Sequence, residues 1–305
     1  MTKILVTGSN GLLGQKLSAI LIGDKNVDLI FTARGKSAVT LTRGKFVSLD
    51  ISNAEQVENV LSDNKPGIII NTAAMTMVDQ CENDREGCWN ANVKSVENLI
   101  SSARKINAHL IHVSTDFIFD GSHGPLDENE KPNPVNFYGE SKLAAEKLII
   151  TSGIPWAIVR TVLVYGVTHD MSRSNIVLWV KENLEKQKNI KVVNDQWRTP
   201  TLAEDLAQGC YLAATKKAQG IFHVSGKDFM TPYDIAIRTA EFFKLDKSLI
   251  AATDSTQFKQ PAKRPARTGF VIEKARKELG YEPHSFEEGL ALVAKQIERE
   301  QVNMK

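Results

Sequence analysis

The sequence contains few cysteines, and none of them lies in a pattern that would form a cross-link or bind a metal ion. The 305 residues include 3 cysteines, Cys81, Cys88 and Cys210. Because the number is odd and no C-x-x-C or Cys/His motif is present, neither a disulfide framework nor a zinc site is indicated. We therefore expect ordinary buried or half-buried thiols and assign no metal ligand.

Long apolar runs and a strong excess of one charge are also missing. No apolar stretch approaches the roughly 18 residues of a membrane-spanning helix. The strand-like run from Ile4 to Thr7 begins too close to Met1 to leave room for a leader peptide. A net charge of +2, with 24% charged and 42% hydrophobic residues, is ordinary for a globular protein. These features predict a cytoplasmic protein that binds a small molecule and neither nucleic acid nor membrane.

An apolar run followed by three regularly spaced glycines opens the chain. Residues 4–14 read ILVTGSNGLLG, which places Gly8, Gly11 and Gly14 between a predicted strand and a predicted amphipathic helix. In a dinucleotide-binding turn the first glycine permits the sharp turn, the second admits the pyrophosphate, and the third lets the helix pack on the sheet. The helix N-terminus adds a positive pole. Three glycines can also form a simple surface turn, but this context favours cofactor binding.

Short β-branched runs alternate with amphipathic helices along the first half of the chain. Five further runs are predicted as buried strands, at 27–33, 45–49, 67–71, 109–114 and 156–160. This alternation predicts an α/β protein with a doubly wound parallel sheet of the Rossmann type. We expect residues 1–165 and about 188–218 to form that domain. About 166–187 and 219–305 are expected to form a smaller, mostly helical substrate-binding domain.

Two polar groups near the middle of the chain suggest acid–base chemistry. Tyr138 and Lys142 lie four residues apart at the start of a predicted helix, so their side chains project from one face. A phenol with a pKa of about 10 becomes a useful proton donor when an ammonium group favours its phenolate. Ser114 and Thr115 follow the fifth predicted strand, at the edge where open α/β sheets bind ligands. Their hydroxyls can bind a substrate carbonyl, with a turn or helix cap as the alternative.

Nearly the whole chain resembles the extended short-chain dehydrogenase/reductases, and within that family the dTDP-4-dehydrorhamnose reductases. The segments that carry the resemblance are TGSNGLLG at 7–14, NTAAMTMVD at 71–79, STDFIFDG at 114–121, YGESKLAAE at 138–146, NDQWRTPT at 194–201 and KRP at 263–265. The resemblance implies NADPH-dependent reduction of the C4 keto group of dTDP-4-dehydro-L-rhamnose to dTDP-L-rhamnose.

The resemblance also implies roles for single residues. Thr115, Tyr138 and Lys142 would form a catalytic triad supported by Asn92. The cofactor-binding residues implied by the resemblance and the glycine motif are Gly8, Ser9, Asn10, Gly11, Leu12, Gly14, Asp50, Ile51, Ala73, Ala74, Thr76, Asn92, Tyr138 and Lys142. Dehydratases of the same superfamily carry an acidic pair after the threonine. Here Asp116 is followed by Phe117, which favours reduction over dehydration.

The second predicted strand ends without the carboxylate that NAD-preferring sites usually present to the ribose 2′-hydroxyl. Arg34, Gly35 and Lys36 follow that strand instead. Arg34, with Lys36 beside it, suits a 2′-phosphate, so we predict NADPH over NADH and keep NADH as the alternative. A solvated basic loop is the competing interpretation.

A nucleotide-sugar diphosphate needs cationic and aromatic partners. Arg198 and Arg264 are candidate substrate contacts, and Trp197 would cover a sugar or base face. The competing interpretations are surface charges and a core tryptophan. Leu163 and Arg198 depart from the family pattern. The family usually has a tryptophan in the stretch 160–166 and a glycine at the position of Arg198. Because both positions adjoin the sugar, the departures bear on which sugar is bound more than on hydride transfer.

Two other functions are compatible with these residues. Another nucleotide-sugar reductase or an epimerase would use the same groups, but an epimerase retains its cofactor and shows no net nicotinamide oxidation. The regulatory beta subunit of methionine adenosyltransferase looks like this family and acts by docking on another enzyme. The complete set of Thr115, Tyr138 and Lys142 favours an enzyme. The choice between monomer and homodimer, the magnesium dependence and the identity of the sugar stay open.

Overall fold

The computed structural model describes residues 2–169 and 174–303. The strands are β1 (Thr2–Thr7), β2 (Val27–Ala33), β3 (Lys45–Ser48), β4 (Ile68–Asn71), β5 (His109–Thr115), β6 (Trp156–Thr161), β7 (Val164–Tyr165), β8 (Ile190–Val193), β9 (Thr201–Leu202), β10 (Gly220–His223) and β11 (Ile250–Thr253). The helices are α1 (Leu12–Gly23), α2 (Ala54–Asn64), α3 (Val78–Asn83), α4 (Arg85–Trp89), α5 (Ser95–Ile106), α6 (Phe137–Ile150), α7 (Ile176–Glu185), α8 (Ala203–Thr215), α9 (Pro232–Phe242) and α10 (Phe286–Asn303). None of these described helices is long and apolar enough to span a bilayer.

Seven parallel strands form the central sheet in the order β10-β6-β5-β4-β1-β2-β3. Successive residues of β1 serve opposite faces, with Ile4 and Val6 in one core and Leu5 in the other. A strand that is buried on both faces reads as a continuous apolar run, which explains the sequence pattern. The chain starts in the middle of the sheet and winds outward in both directions, which confirms the predicted doubly wound fold.

Helices cover both faces of the sheet. On one face, α1 and α8 bury residues such as Leu17 and Leu206. On the other face, α2, α5 and α6 bury apolar residues, including Val57, Leu99 and Ala103. All strands point the same way, so their carboxyl ends meet at one edge, where the glycine turn and the start of α6 also lie.

The strand pairing differs from the expected division of the chain at two strands. Gly220–His223, expected outside the sheet domain, pairs with β6 and forms the edge of the central sheet. Ile190–Val193, expected within the sheet domain, pairs instead with β11 and packs with α7 and α9. Both strands are four residues long, and a short apolar run does not encode which neighbour it pairs with.

A buried ion pair fastens α6 to the sheet. Asn136 caps the helix, because its side-chain oxygen accepts a hydrogen bond from Gly139 N. Two turns into the helix, the Glu146 carboxylate accepts hydrogen bonds from Arg160 Nε at 3.0 Å and Arg160 Nη2 at 2.7 Å. Glu146 is 0% exposed and Arg160, on β6, is 2% exposed. This bidentate contact fixes how α6 lies across β6.

Replacing one partner of this pair should destabilise the protein strongly. We expect Arg160→Met to lower the free energy of unfolding by about 3–5 kcal/mol, because the Glu146 carboxylate is left buried without its partner. Adding Glu146→Leu should recover most of the loss, because the double variant replaces both charges with apolar groups. Urea unfolding of the two variants measures both effects. An unchanged unfolding midpoint for Arg160→Met alone would contradict this account.

Candidate active site

The glycine turn joins β1 to α1. Each of its three positions is occupied by glycine for a different physical reason. Gly8 has φ +69°, and a Cβ there would lie 2.8 Å from Ala73 N. A Cβ on Gly14 would lie 2.2 Å from Gly8 O, so this glycine closes the turn itself rather than the contact with the sheet. A Cβ on Gly11 would meet only Gly8 O, at 3.4 Å. The protein therefore leaves space beside Gly11, in front of the helix N-terminus.

The polar residues of the turn bind β2 and the loop that follows it. Ser9 N and Ser9 Oγ both donate to Thr32 O, at 3.0 and 3.2 Å. Asn10 Nδ2 donates to Lys36 O at 2.8 Å, and Asn10 Oδ1 accepts from Ala38 N at 2.9 Å. Ser9 thus holds the turn against β2, and Asn10 supports the basic loop from within the protein. These roles are distinct from the cofactor contact predicted for them.

The basic loop leaves its cations exposed. Arg34 and Lys36 are both exposed to solvent. The side chain of Asp50 accepts hydrogen bonds from Ser52, which together with the nearby Arg34 lowers the pKa of this carboxyl. Ile51, predicted to contact adenine, is 9% exposed and packs in the core beneath α2 and α5. The guanidinium of Arg34 is thus exposed to solvent at the carboxyl edge of the sheet.

Lys142 is buried on α6 and bound to β5. Its Nζ donates to Val113 O at 2.7 Å and lies 3.0 Å from His112 Nε2. Only 2% of the residue is exposed. Burial disfavours the charged form and lowers the pKa of Lys142 to about 8. The lysine therefore changes its charge near physiological pH, as an acid–base group should.

Tyr138 lies one turn before Lys142. Its ring meets the edge of Phe117 with the ring centroids 5.9 Å apart, and it packs with Cys81 and Cys88. The tyrosine is 8% exposed, so the ring is held by its neighbours. The helix thus presents the phenol and the amine at the same edge of the sheet.

Asn92 lies in a π-helical turn at Asn90–Lys94 and contacts α6 through Ser141. Its Nδ2 donates to Ser141 Oγ at 3.0 Å and to Met75 O at 3.0 Å, while Oδ1 accepts from Met75 N at 2.8 Å. With 1% exposure, its amide binds protein groups only. The position agrees with the expected supporting role and differs from the expected cofactor contact. π-turns of this kind are common at functional sites.

The two hydroxyls after β5 differ in their surroundings. Thr115 Oγ1 caps the 3₁₀ turn Asp116–Ile118 by accepting from Phe117 N at 3.3 Å, and it donates to Asp116 Oδ1 at 3.1 Å. Ser114 Oγ is buried without a hydrogen-bond partner among the described residues. Burial raises the pKa of Asp116, which also lies near Arg198. A buried hydroxyl without a protein partner is a group that needs an explanation, such as a bound water or ligand.

Arg198 is buried and binds neighbouring protein segments, so it is not an open substrate contact. Its guanidinium donates to Trp197 O at 2.7 Å, Pro265 O at 2.7 Å, Ala266 O at 3.1 Å and Gln196 Oε1 at 3.2 Å. Only 4% of the residue is exposed. The predicted contact with substrate is therefore not available from this arrangement, because the donors bind protein carbonyls.

Arg264 and Trp197, the other two candidate substrate residues, also contact neighbouring side chains. Arg264 makes a two-pronged ion pair with Asp79, at 2.5 and 2.7 Å, which lowers the pKa of that carboxyl. Trp197 packs beside Phe229, with centroids 5.4 Å apart, and the Arg267 guanidinium lies 5.2 Å from its ring centroid. Trp197 is half-buried, so part of its surface stays open to a ligand.

The arrangement fits a dinucleotide. The carboxyl edge of the sheet brings together the α1 N-terminus, the open space beside Gly11, the exposed Arg34 and the unpaired Ser114 hydroxyl. Ala73, Ala74 and Thr76 follow β4 at the same edge, and their contact with a cofactor stays a prediction. In the part of the chain that is described, no group of three or more His, Cys, Asp or Glu side chains is arranged to hold a metal.

Sequence reasoning missed the polar residues beneath the site. Asn71 ends β4 and His112 lies in the middle of β5, and the two side chains lead toward Lys142. A polar residue on the inward face of a buried strand is the signal that marks them, because such a group needs a partner.

Comparison with known proteins agrees with this geometry. The profile of the RmlD substrate binding domain family matches residues 1–299. The dTDP-4-dehydrorhamnose reductase of Aggregatibacter actinomycetemcomitans is 30% identical over 305 residues, which cover 95% of this chain and 97% of that protein. Methionine adenosyltransferase 2 subunit beta of Bos taurus is 31% identical over 263 residues, 83% of this chain and 76% of that protein. A crystallised dTDP-4-dehydrorhamnose reductase of Bacillus anthracis in complex with NADP has a TM-score of 0.84 and 26% identity, covering 97% of this chain and 100% of that one.

Two glycines of the turn should respond differently to alanine. We expect Gly14→Ala to lower the free energy of unfolding by about 3 kcal/mol, because the added methyl meets rigid backbone. Gly11→Ala should cost less than about 1 kcal/mol, because only a helix cap position is affected. It should nevertheless weaken NADPH binding at least tenfold by filling the space at the helix N-terminus. Urea unfolding and NADPH fluorescence titration measure these effects, and unchanged NADPH binding in Gly11→Ala would contradict the assignment.

Proposed function

We propose that this chain, which belongs to the RmlD substrate binding domain family, reduces the C4 keto group of dTDP-4-dehydro-L-rhamnose to give dTDP-L-rhamnose with NADPH. The observation that carries the proposal is the pairing of Tyr138 with a buried Lys142 at the carboxyl edge of the sheet. The similarity to a reductase over 95% of this chain and 97% of the relative supports it. So does the NADP complex of a related reductase.

The chain's own residues supply the proton and the orientation. Tyr138 donates its phenolic proton to the C4 oxygen, and the ammonium form of Lys142 stabilises the phenolate that remains. The hydroxyl of Thr115, which donates to Asp116 Oδ1 in the structure, turns its hydrogen to the same oxygen when substrate binds and holds the carbonyl in place. Bound NADPH supplies the hydride that reduces C4. The Phe117 ring beside Tyr138 limits the freedom of the phenol.

Arg34 accounts for the choice of NADPH. It is exposed at the carboxyl edge of β2, on a loop that Asn10 holds in place through both of its amide atoms. A guanidinium binds a phosphate by two parallel charge-assisted hydrogen bonds. The side chain is therefore suited to the 2′-phosphate that distinguishes NADPH from NADH.

A docking subunit is the second candidate. The similarity to methionine adenosyltransferase 2 subunit beta is as strong per residue as that to the reductase. Arg198 and Arg264 bind protein groups, which leaves fewer cations for a sugar diphosphate than the sequence suggested. An epimerase or a reductase of another nucleotide sugar would share the catalytic residues. The following experiment separates these functions.

Substrate-dependent oxidation of NADPH tests the proposal. We expect the purified protein to oxidise NADPH when dTDP-4-dehydrorhamnose is added, and Tyr138→Phe to lower kcat by about 10²–10⁴-fold because the proton donor is lost. Tyr233→Phe, on α9, is the matched control and should keep full activity. Nicotinamide absorbance measures turnover. NADPH binding without turnover of this or another keto sugar, together with a stable complex with an adenosyltransferase, would support the docking subunit instead.

Cofactor choice should reverse at one residue. We expect Arg34→Asp to weaken NADPH binding by about 10–100-fold, because a charge-assisted contact of about 1.5–3 kcal/mol is lost. NADH binding should not weaken, because it has no 2′-phosphate. Lys25→Asp, an exposed cation before β2 at the opposite edge of the sheet, controls for the change in net charge. An unchanged ratio of the two dissociation constants in Arg34→Asp would disprove the assignment.

A further inference from the structure

Four buried polar residues form a continuous chain beneath the candidate site. They are Thr7 on β1, Asn71 on β4, His112 on β5 and Lys142 on α6, and each is at most 2% exposed. Thr7 Oγ1 donates to Asn71 Oδ1 at 2.5 Å, Asn71 Nδ2 lies 3.0 Å from His112 Nδ1, and His112 Nε2 lies 3.0 Å from Lys142 Nζ. The chain connects three strands of the sheet to the lysine.

The orientation of Asn71 is set by the backbone. Its Oδ1 accepts from Ala73 N at 3.3 Å as well as from Thr7 Oγ1. Since a backbone N–H can only donate, the amide oxygen must face Ala73, and Nδ2 must face the histidine. An amide nitrogen can only donate, so His112 Nδ1 acts as the acceptor.

His112 therefore carries its proton on the other nitrogen. Burial lowers the pKa of His112 well below its usual value, and the ring is neutral. A neutral imidazole has one donor and one acceptor, so acceptance at Nδ1 places the proton on Nε2. This Nε2–H points at Lys142 Nζ.

An N–H that points at Lys142 needs a lone pair to receive it. A protonated ammonium has three donors and no lone pair, whereas a neutral amine has one lone pair and two donors. The neutral amine accepts from His112 Nε2–H and still donates to Val113 O at 2.7 Å. In this arrangement the neutral amine satisfies every contact, and the ammonium would place two donors against each other.

We propose that His112 is a positioning residue for Lys142. Held by Asn71 as its Nε2–H tautomer, it stabilises the neutral amine and so sets the pH at which Lys142 loses its proton. The significance for catalysis rests on the proposed function, because there Lys142 acts on Tyr138. The effect on the lysine itself requires neither cofactor nor substrate.

Other titratable groups surround Lys142 and act on the same equilibrium. On α6, Tyr138 lies one turn before it, and Glu146 lies one turn after it and favours the ammonium. Arg160 on β6 neutralises Glu146 through the bidentate pair. On α4, Cys88 has a pKa lowered to about 7, first by its contact with Cys81, and its thiolate also favours the ammonium. His112 acts in the opposite direction to both acidic groups.

The first test reads the His112 tautomer in the wild-type protein without cofactor. Nitrogen-15 NMR of the histidine ring distinguishes a protonated nitrogen from one that bears a lone pair. We expect the proton on Nε2, with His112→Gln used to assign the signals. Finding the proton on Nδ1 would overturn the proposal. This measurement does not depend on whether any variant folds.

The second test follows the charge of Lys142. Carbon-13 NMR of labelled lysine gives the titration midpoint at Cε, with Lys142→Met used for assignment. His112→Gln offers a carbonyl oxygen to the ammonium and should raise the midpoint by at least one pH unit, a tenfold change in the protonation equilibrium. Asn71→Asp should raise it as well, because a carboxylate accepts from His112 Nδ1 and frees Nε2 to accept. Midpoints equal to wild type in the folded variants would overturn the proposal.

The control for these variants lies on the same strand. His109 is also a buried histidine, 5% exposed, but it lies at the start of β5, on the face opposite to His112. His109→Gln should leave the Lys142 midpoint unchanged, and a shift equal to that of His112→Gln would show a general packing effect and overturn the proposal. The pH profile of kcat should move with the midpoint in His112→Gln, whereas a purely structural role would lower kcat equally at every pH. Since the NMR tests use no ligand, their failure and a failure of the reductase assay are separate results.

Discussion

The docking of α6 on the central sheet is the interaction on which the site depends. The helix and the sheet bury two basic side chains between them, Arg160 from β6 and Lys142 from α6. A buried charge or polar group without a partner costs free energy, so each of these side chains needs a partner across the interface. Arg160 finds Glu146 on the helix, and Lys142 finds His112 and Val113 O on the strand. The register of α6 that makes both contacts also places Tyr138 at the carboxyl edge.

Much of the fold follows from the sequence because its signals are local. The continuous apolar runs and the glycine turn predicted β1, β2 and α1 closely, since double burial and a tight turn each leave a recognisable pattern. The neighbour with which a short strand pairs is not signalled locally in this way. Gly220–His223 and Ile190–Val193 are short strands whose neighbours are chosen by tertiary packing, which four residues do not encode.

The site shows the same limit at the level of single side chains. The spacing of Tyr138 and Lys142 predicts that they share a helix face, but it cannot show that the lysine is buried and bound to a histidine. For Arg198, a charge near the substrate segment suggested a phosphate contact, whereas the structure gives its donors to backbone carbonyls. Burial decides between these roles, and burial depends on elements distant in sequence, here the loop that carries Pro265 and Ala266.

The buried polar chain also bears on the choice between an enzyme and a docking subunit. A lysine with 2% exposure and a pKa lowered to about 8 loses stability relative to an apolar residue of the same size, because its charged form is desolvated. A surface that only binds a partner gains nothing from that loss. Local rules of stability are usually broken at sites that perform chemistry. Because Thr7, Asn71 and His112 form one hydrogen-bonded chain that ends at this amine, the interior of the protein favours catalysis over docking alone.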